Sequence, residues 1–142
     1  MAPTEGVVSA VSRKDLWTAR KNTGATRGGL SVAIVGTDGV RYYGSHLKSV
    51  APAVVAGRRV RAGEVLGHVG KTGSARSTSC HLHFGISPPC AENDWWNRRG
   101  VLSPYPFLRS WQDGGRRSPV QAVTTWRAKH GCPAKAPSSA PE

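Results

Sequence analysis

Acidic residues and long apolar segments are scarce in this sequence of 142 residues. Eight Asp and Glu stand against 20 Lys and Arg, so the formal net charge is +12 with histidine neutral. Such a surface attracts polyanions, from nucleic acid to the anionic polymers of a bacterial cell wall. No apolar run approaches the roughly 20 residues of a membrane-spanning helix. Residues 1–6 have neither the basic nor the apolar region of a secretion signal. We therefore expect no transmembrane segment and a partner with negative charge.

Cysteine is limited to three residues, an odd number that leaves at least one thiol without a partner in the chain. Cys80 and Cys90 flank a short apolar segment and the turn at residues 87–89. A bridge between them would close a short loop, and the entropy that it removes from the unfolded chain would stabilise the fold by about 3 kcal/mol. The sequence thus predicts a Cys80–Cys90 disulfide and leaves Cys132 over.

Glycine and proline are abundant, with 17 and 10 residues, and favour a turn-rich, mostly β protein of one domain. Residues 7–12 and 30–35 have the composition of strands. Asp38-Gly39 is a hairpin-turn signal, and it predicts that residues 40–47 pair with the second strand. Residues 54–73 place glycines between short apolar pieces, which predicts short bent strands joined by tight turns.

The most informative segment is 80–87, with the sequence Cys-His-Leu-His-Phe-Gly-Ile-Ser. Successive side chains of a strand point to opposite faces. Leu82, Phe84 and Ile86 would therefore be buried on one face, while His81 and His83 share the other with Gly85, which leaves space beside them. Two imidazoles at this spacing can bind one metal ion, or one can bind metal while the other transfers protons. A lone histidine, His68, is more typical of a surface residue.

The C-terminal part has a different composition. Residues 94–108 mix aromatic side chains with arginine, and Ser118-Pro119 followed by Gln121 predicts the start of one short helix. An apolar stripe and a stop at Gly131 complete that helix, the stripe being formed by Val120, Val123 and Trp126. We expect a domain over residues 1–87, a Trp- and Arg-rich extension over 88–131, and a disordered tail over 132–142.

Three segments in this order resemble the lysostaphin/LytM-type zinc metallopeptidases, which cleave peptide cross-links in bacterial peptidoglycan. They are Tyr-Gly-Ser-His-Leu at 43–47, the glycine-rich segment 60–73, and His-Leu-His-Phe-Gly at 81–85. The resemblance covers about residues 7–87. It implies a small flattened antiparallel β-barrel or sandwich, a peptidoglycan or other anionic wall substrate, and a secreted or cell-envelope location.

The resemblance also implies a role for each histidine that matches. His83 aligns with a zinc ligand. His81 aligns with the imidazole that orients or deprotonates the attacking water, and His46 with a second one that stabilises the developing oxyanion. Zinc itself lowers the pKa of its bound water to about 7.

One part of the family pattern has no match. Two further zinc ligands, a His and an Asp separated by three residues, lie in the family before the strand that here is 7–12, and the first histidine here is His46. The chain is then either an endopeptidase whose recorded start lies too far downstream, or a metal-free module of the same fold that binds wall or activates another wall hydrolase. A nucleic-acid binder that uses Trp95–Arg99 is less favoured, since no alternating aromatic platform is present.

Overall fold

The computed structural model describes residues 1–91 and 93–135. Its main element is one curled, antiparallel sheet of six strands. The strands are β1 (Gly6–Ser12), β2 (Leu30–Gly36), β3 (Arg41–Val50), β4 (Arg59–Val60), β5 (Gly67–Val69) and β6 (His83–Ser87). The order is β4-β1-β2-β3-β5, and β6 also pairs with β3. The mostly β, flattened antiparallel fold expected from the sequence is confirmed.

Strand β3 has two neighbours on the same edge. Its first half, from Arg41 to Ser45, pairs with β6, whereas Leu47 to Val50 pair with β5. The hairpin that leads into β3 turns at Asp38-Gly39, as predicted, and Gly39 takes a φ of 78° that favours glycine. The change of partner in the middle of β3 matters for the site, because it places one predicted site residue at the junction.

The core lies against the sheet and also receives side chains from the C-terminal part. Its fully buried members include Val8, Ile34 and Ile86 from three strands. Phe107 and Val123, from two different helices, belong to the same buried cluster. The extension therefore packs on the β structure, and the boundary at residue 87 stays a prediction.

Three helices are described where the sequence predicted one. They are α1 (Trp95–Arg98), α2 (Tyr105–Gln112) and α3 (Val120–His130). Helix α2 begins within a proline-rich segment, directly after Pro104, and the sequence analysis assigned it no helix. Helix α3 is the predicted one and ends at Gly131, which has a φ of 65°. None of the helices in the described part of the chain is long and apolar enough to cross a membrane.

The predicted disulfide is wrong. Cys90 is bonded to Cys132, with their Cα atoms 5.7 Å apart, and Cys80 is an exposed free thiol. A short loop is entropically easy to close, but pairing depends on which Cα atoms the fold brings together. The residues between Cys90 and Cys132 include the three helices, and after the last of them Cys132 lies beside Cys90. The carbonyl of Pro133 accepts a hydrogen bond from the Trp96 indole, and residues 136–142 of the predicted tail lie outside the described residues.

Candidate active site

His46 lies where β3 changes partner, in a backbone conformation that is unusual for its residue type. Its φ is 62°, and no other non-glycine residue among those described has a positive φ. Its amide donates to the carbonyl of Gly28 at 2.7 Å, which ties the strand to the loop before β2. Left-handed backbone is disfavoured for a side chain with a Cβ, so strain of this kind is a sign of functional constraint.

The three predicted site histidines lie together. The ring centroids of His46 and His81 are 5.1 Å apart, and those of His46 and His83 are 6.2 Å apart. His83 begins β6, whereas His81 precedes the strand and forms an isolated bridge with Gly70. His68 lies apart from this cluster on β5, where it is exposed and hydrogen-bonded to Ser49. Strand pairing between β3 and β6 therefore converts two distant motifs into one cluster.

Each imidazole of this histidine cluster is oriented by a backbone carbonyl. Nδ1 of His46 lies 2.8 Å from the oxygen of Thr72, and Nδ1 of His81 lies 2.9 Å from the oxygen of Ser79. A carbonyl can only accept, so these nitrogens carry the proton. In the neutral rings, Nε2 then keeps its lone pair. His83 has the opposite tautomer, because its Nε2 donates to the carbonyl of Arg99 at 2.6 Å and leaves Nδ1 with the lone pair.

Burial lowers the pKa of His46 below its usual 6.5. The hydrogen bond to Thr72 and the charge of Asp15 act in the opposite direction, but the other two histidines act with burial. His46 is therefore a neutral imidazole near pH 7, with a nitrogen that can accept a proton.

Two supporting residues were missed in the sequence. The hydroxyl of Thr72 donates to the carbonyl of Leu47 at 2.7 Å and so fixes the carbonyl that orients His46. Asp15 accepts from the amide of Gly73 and from Arg76, at 3.1 Å and 3.0 Å. Burial alone would raise the pKa of Asp15, but these hydrogen bonds together lower it. Thr72 lies within the glycine-rich segment 60–73 that resembles the family, whereas Asp15 lies in none of the recognisable motifs.

A groove of about 450 Å³ opens beside the histidine cluster, with His46 and His83 among its lining residues. One wall is the loop 24–28 and the other is the segment 95–100 of the extension. The two walls touch, because a Cβ on Gly24 would lie only 2.2 Å from the Trp95 ring. Trp95 is thus half-buried against the loop and forms part of one wall of the groove.

The space expected beside Gly85 is filled, which corrects the sequence interpretation. A Cβ at Gly85 would lie 2.3 Å from the carbonyl oxygen of Arg99, so the extension backbone packs directly on the sheet there. The apolar row on the opposite face is only partly buried, since Leu82 is 44% exposed while Ile86 is fully buried. Glycine is needed at position 85 for close approach of two backbones.

A buried ion pair holds the extension in this position. The guanidinium of Arg41 contacts both carboxylate oxygens of Asp94 at 2.8 Å and 3.3 Å, and both side chains are at most 4% exposed. Arg41 also donates to Ser87, and Asn97 donates to Asp94. Because β3, β6 and α1 each contribute to this network, it fixes the wall of the groove relative to the histidines.

The residues present do not complete a zinc site. A catalytic zinc needs three protein ligands. Within residues 1–91 and 93–135, no three His, Cys, Asp or Glu side chains are arranged to hold one metal ion. His83 offers the lone pair of Nδ1 to a metal ion, but the described residues do not supply two further ligands beside it. We therefore derive no catalytic step through a metal.

Comparisons with known proteins identify relatives of this chain. The model of Peptidase family M23 matches residues 1–95. The L-Ala--D-Glu endopeptidase of Bacillus subtilis (strain 168) is 30% identical over 90 residues, which is 60% of this chain. The chain spans only 26% of that relative's length.

Solved structures show the same fold. The catalytic domain of lysostaphin from Staphylococcus simulans superimposes with a TM-score of 0.56 and 26% identity, covering 77% of this chain and 68% of that one. LytU gives a TM-score of 0.54 and 27% identity, covering 76% and 62%. The lysostaphin- and LytM-type members of peptidase family M23 are generally zinc-dependent peptidases. Because the family model matches about two thirds of its residues, this chain belongs to peptidase family M23.

Proposed function

We propose that this chain is a peptidoglycan endopeptidase domain that hydrolyses a peptide bond of the bacterial cell wall, with a wall polymer as its partner and a cell-envelope or secreted location. The observation that carries the proposal is the cluster of three imidazoles beside a groove, each oriented by a carbonyl and each with one nitrogen available. Family membership and the names of the relatives, an L-Ala--D-Glu endopeptidase and lysostaphin, support the substrate class.

In this proposal the three histidines have different roles in hydrolysis. His46 and His81 each present Nε2 as an acceptor, so either can take a proton from an attacking water and return it to the leaving amine. Protonated His46 would also stabilise negative charge that develops on the scissile carbonyl oxygen. His83 would be a zinc ligand through Nδ1, since Arg99 already occupies its other nitrogen. Because the described residues complete no set of three protein ligands, no step of the proposal depends on a metal.

Digestion of purified peptidoglycan by the 142-residue chain tests the proposal. New amino groups should appear with time. His46→Ala, His81→Ala and His83→Ala should each reduce the rate at least about 100-fold. His68→Ala is the matched control, because this exposed histidine lies outside the cluster, and it should retain activity.

The same preparation distinguishes the alternative function. A chain that binds no zinc, releases no amino groups and still sediments with peptidoglycan would contradict the enzymatic proposal. That result would support the wall-binding module, and faster digestion by an added wall amidase would support an activator. Metal analysis of the purified chain gives the zinc content directly.

A further inference from the structure

A second cavity, of about 310 Å³, lies between the N-terminal segment, the turn of the first hairpin and the connection from α2 to α3. Tyr42 lines this cavity, whereas its neighbour Tyr43 lines the groove beside the histidines. Successive side chains of a strand point to opposite faces, so the two openings lie on opposite sides of β3. The wall formed by residues 111–119 also lies beyond residues 1–95, which the family model matches. This cavity is therefore separate from the candidate active site and depends on the extension.

The connection between α2 and α3 is held in a defined conformation. The indole N–H of Trp111 donates to the carbonyl of Arg117 at 2.9 Å, and the amide of Arg117 donates to the hydroxyl of Ser110 at 3.2 Å. The guanidinium of Arg117 lies over the ring of Phe107 at 5.4 Å. Pro119, at the end of the connection, is fully buried. Specific contacts therefore fix this wall of the cavity.

Two cations in this wall are available to a ligand. Arg116 and Arg117 both line the cavity, and both are exposed. Among the residues that the structure describes, no carboxylate forms an ion pair with either guanidinium, and Asp38 in the same cavity is no exception. The cations and this carboxylate can therefore contact different parts of one ligand. Guanidinium groups bind carboxylate and phosphate oxygens through two parallel hydrogen bonds, so this wall suits an anionic group.

The rest of the lining suits a sugar ring. Trp111 is half-buried, and because its N–H is already bonded to Arg117, it offers a ligand the apolar surface of its ring. Asp38 accepts from the amide of Val40 at 3.0 Å and from the hydroxyl of Tyr42 at 2.7 Å. Each carboxylate oxygen keeps a further lone pair for a hydroxyl group. An aromatic ring beside a few fixed polar groups is the usual composition of a small-ligand site.

We propose that this cavity binds an acidic sugar, a pyranose that carries a carboxylate, within a glycan of the cell wall. A phosphate polymer would bind the arginines but would be repelled by Asp38 and would leave Trp111 unused. A neutral sugar would contact Trp111 and Asp38 but leave both guanidinium groups without a partner. An acidic sugar uses all of them, with its ring on the indole, its hydroxyls on Asp38 and its carboxylate on Arg116 and Arg117. The inference rests on the proposed function for its wall partner, and it adds an attachment point on the face opposite the histidines.

Titration of free sugars into the 142-residue chain tests this without requiring cleavage. N-acetylmuramic acid is compared with its neutral counterpart N-acetylglucosamine, and glucuronic acid with glucose, by NMR. The acidic member of at least one pair should bind about tenfold more tightly, which is the effect of one charge-assisted contact. It should shift the indole N–H signal of Trp111 and leave the ring signals of His46 unchanged. The pair with the larger preference identifies which acidic sugar the cavity fits.

Substitutions of the exposed arginines locate the binding. Arg116→Gln and Arg117→Gln should each remove most of the preference for the acidic sugar. Arg109→Gln is the matched control, because this exposed arginine is on α2 and is not among the residues that line the cavity, and it should keep the preference. Because Arg116 has no described side-chain contact, its substitution should leave the fold intact, and circular dichroism checks this.

The outcomes separate the two proposals. Equal affinity within both pairs, or a preference that survives both arginine variants, overturns the sugar site whether or not the chain digests wall. Glycerol phosphate that binds as tightly as the acidic sugars overturns it in favour of a general anion site, and tighter binding of adenosine 5′-monophosphate in favour of a nucleotide. If wall digestion fails while the acidic preference and its loss in the variants are seen, the sugar site stands and only the enzymatic proposal fails.

Discussion

The backbone carbonyl of Arg99 accepts a hydrogen bond from Nε2 of His83 at 2.6 Å. This contact joins the C-terminal extension to the strand that carries the histidine motif. It sets the tautomer of His83 and determines which of its nitrogens is available to a ligand. The extension is thus a structural part of the candidate active site.

Gly85→Ala should displace the extension from this contact. Its Cβ would lie 2.3 Å from the carbonyl of Arg99, and overpacking of this kind costs about 1–3 kcal/mol of unfolding free energy. Urea denaturation gives that cost, and the NMR signals of the His83 ring report the lost hydrogen bond. Gly44→Ala on β3 is the matched control, because its Cβ would meet only the end of Leu82 at 3.3 Å. Equal stability losses in the two variants would contradict this account.

Asp94→Ala should be among the most damaging single changes in the chain. It leaves the guanidinium of Arg41 buried without its carboxylate, and such a loss costs about 3–5 kcal/mol. Chemical denaturation measures the effect. Glu64→Ala removes a more exposed ion pair with Arg58 and should change stability little. A small effect of Asp94→Ala would mean that the ion pair does not anchor α1.

Loss of the Cys90–Cys132 bond should destabilise the protein by about 2–4 kcal/mol, because the bond closes a loop over a separation of 42 residues. Denaturation of the Cys90→Ser/Cys132→Ser double variant measures this. Cys80→Ser is the control and should be neutral, since Cys80 is an exposed free thiol. Mass spectrometry of the unreduced protein should find the same pairing, and a Cys80–Cys90 peptide would refute it.

His46→Gly should be more stable than His46→Ala by about 1–2 kcal/mol, although both variants lose the imidazole. The φ of 62° penalises any Cβ, and glycine relieves that penalty. Denaturation of the pair gives the difference. The same pair of changes at Lys48, an exposed residue later in β3 without a positive φ, should show the reverse order, because glycine there loses more backbone entropy on folding.

The pH dependence of stability should show how much the Asp15 carboxylate contributes to the fold. Burial alone would raise the pKa of Asp15, but hydrogen bonds from Gly73 and Arg76 hold it below its usual 3.8 in the folded chain. A carboxylate with a lowered pKa stabilises the fold above its unfolded pKa. That contribution is lost as the pH falls through the folded value. The difference between wild type and Asp15→Asn should be constant from about pH 5 to 7 and vanish in stronger acid.

Arg76→Gln provides the companion measurement for that prediction. Without the guanidinium, the pKa of Asp15 should be lowered less, and the acid-dependent loss of stability should shrink. An unchanged pH profile in both variants would show that Asp15 does not contribute in this way.

Patterns that depend on neighbouring residues could be read from the sequence alone. Strand-like composition and the Asp38-Gly39 turn predicted the starts of β1, β2 and β3 to within about a residue. These features are local, because strand period and turn chemistry are decided by adjacent residues. The motif at 81–85 and His46 were similarly recognisable as candidates for one site.

Contacts between distant segments could only be seen in the folded chain. The Cys90–Cys132 bond, the packing of Arg99 against Gly85 and the support from Asp15 each join residues far apart in sequence, and no local pattern encodes them. Composition indicated a basic β protein, and motif order indicated its family. The tertiary structure decided the shape of the groove and the tautomers of its histidines, because strand pairing and packing determine which carbonyl meets which ring.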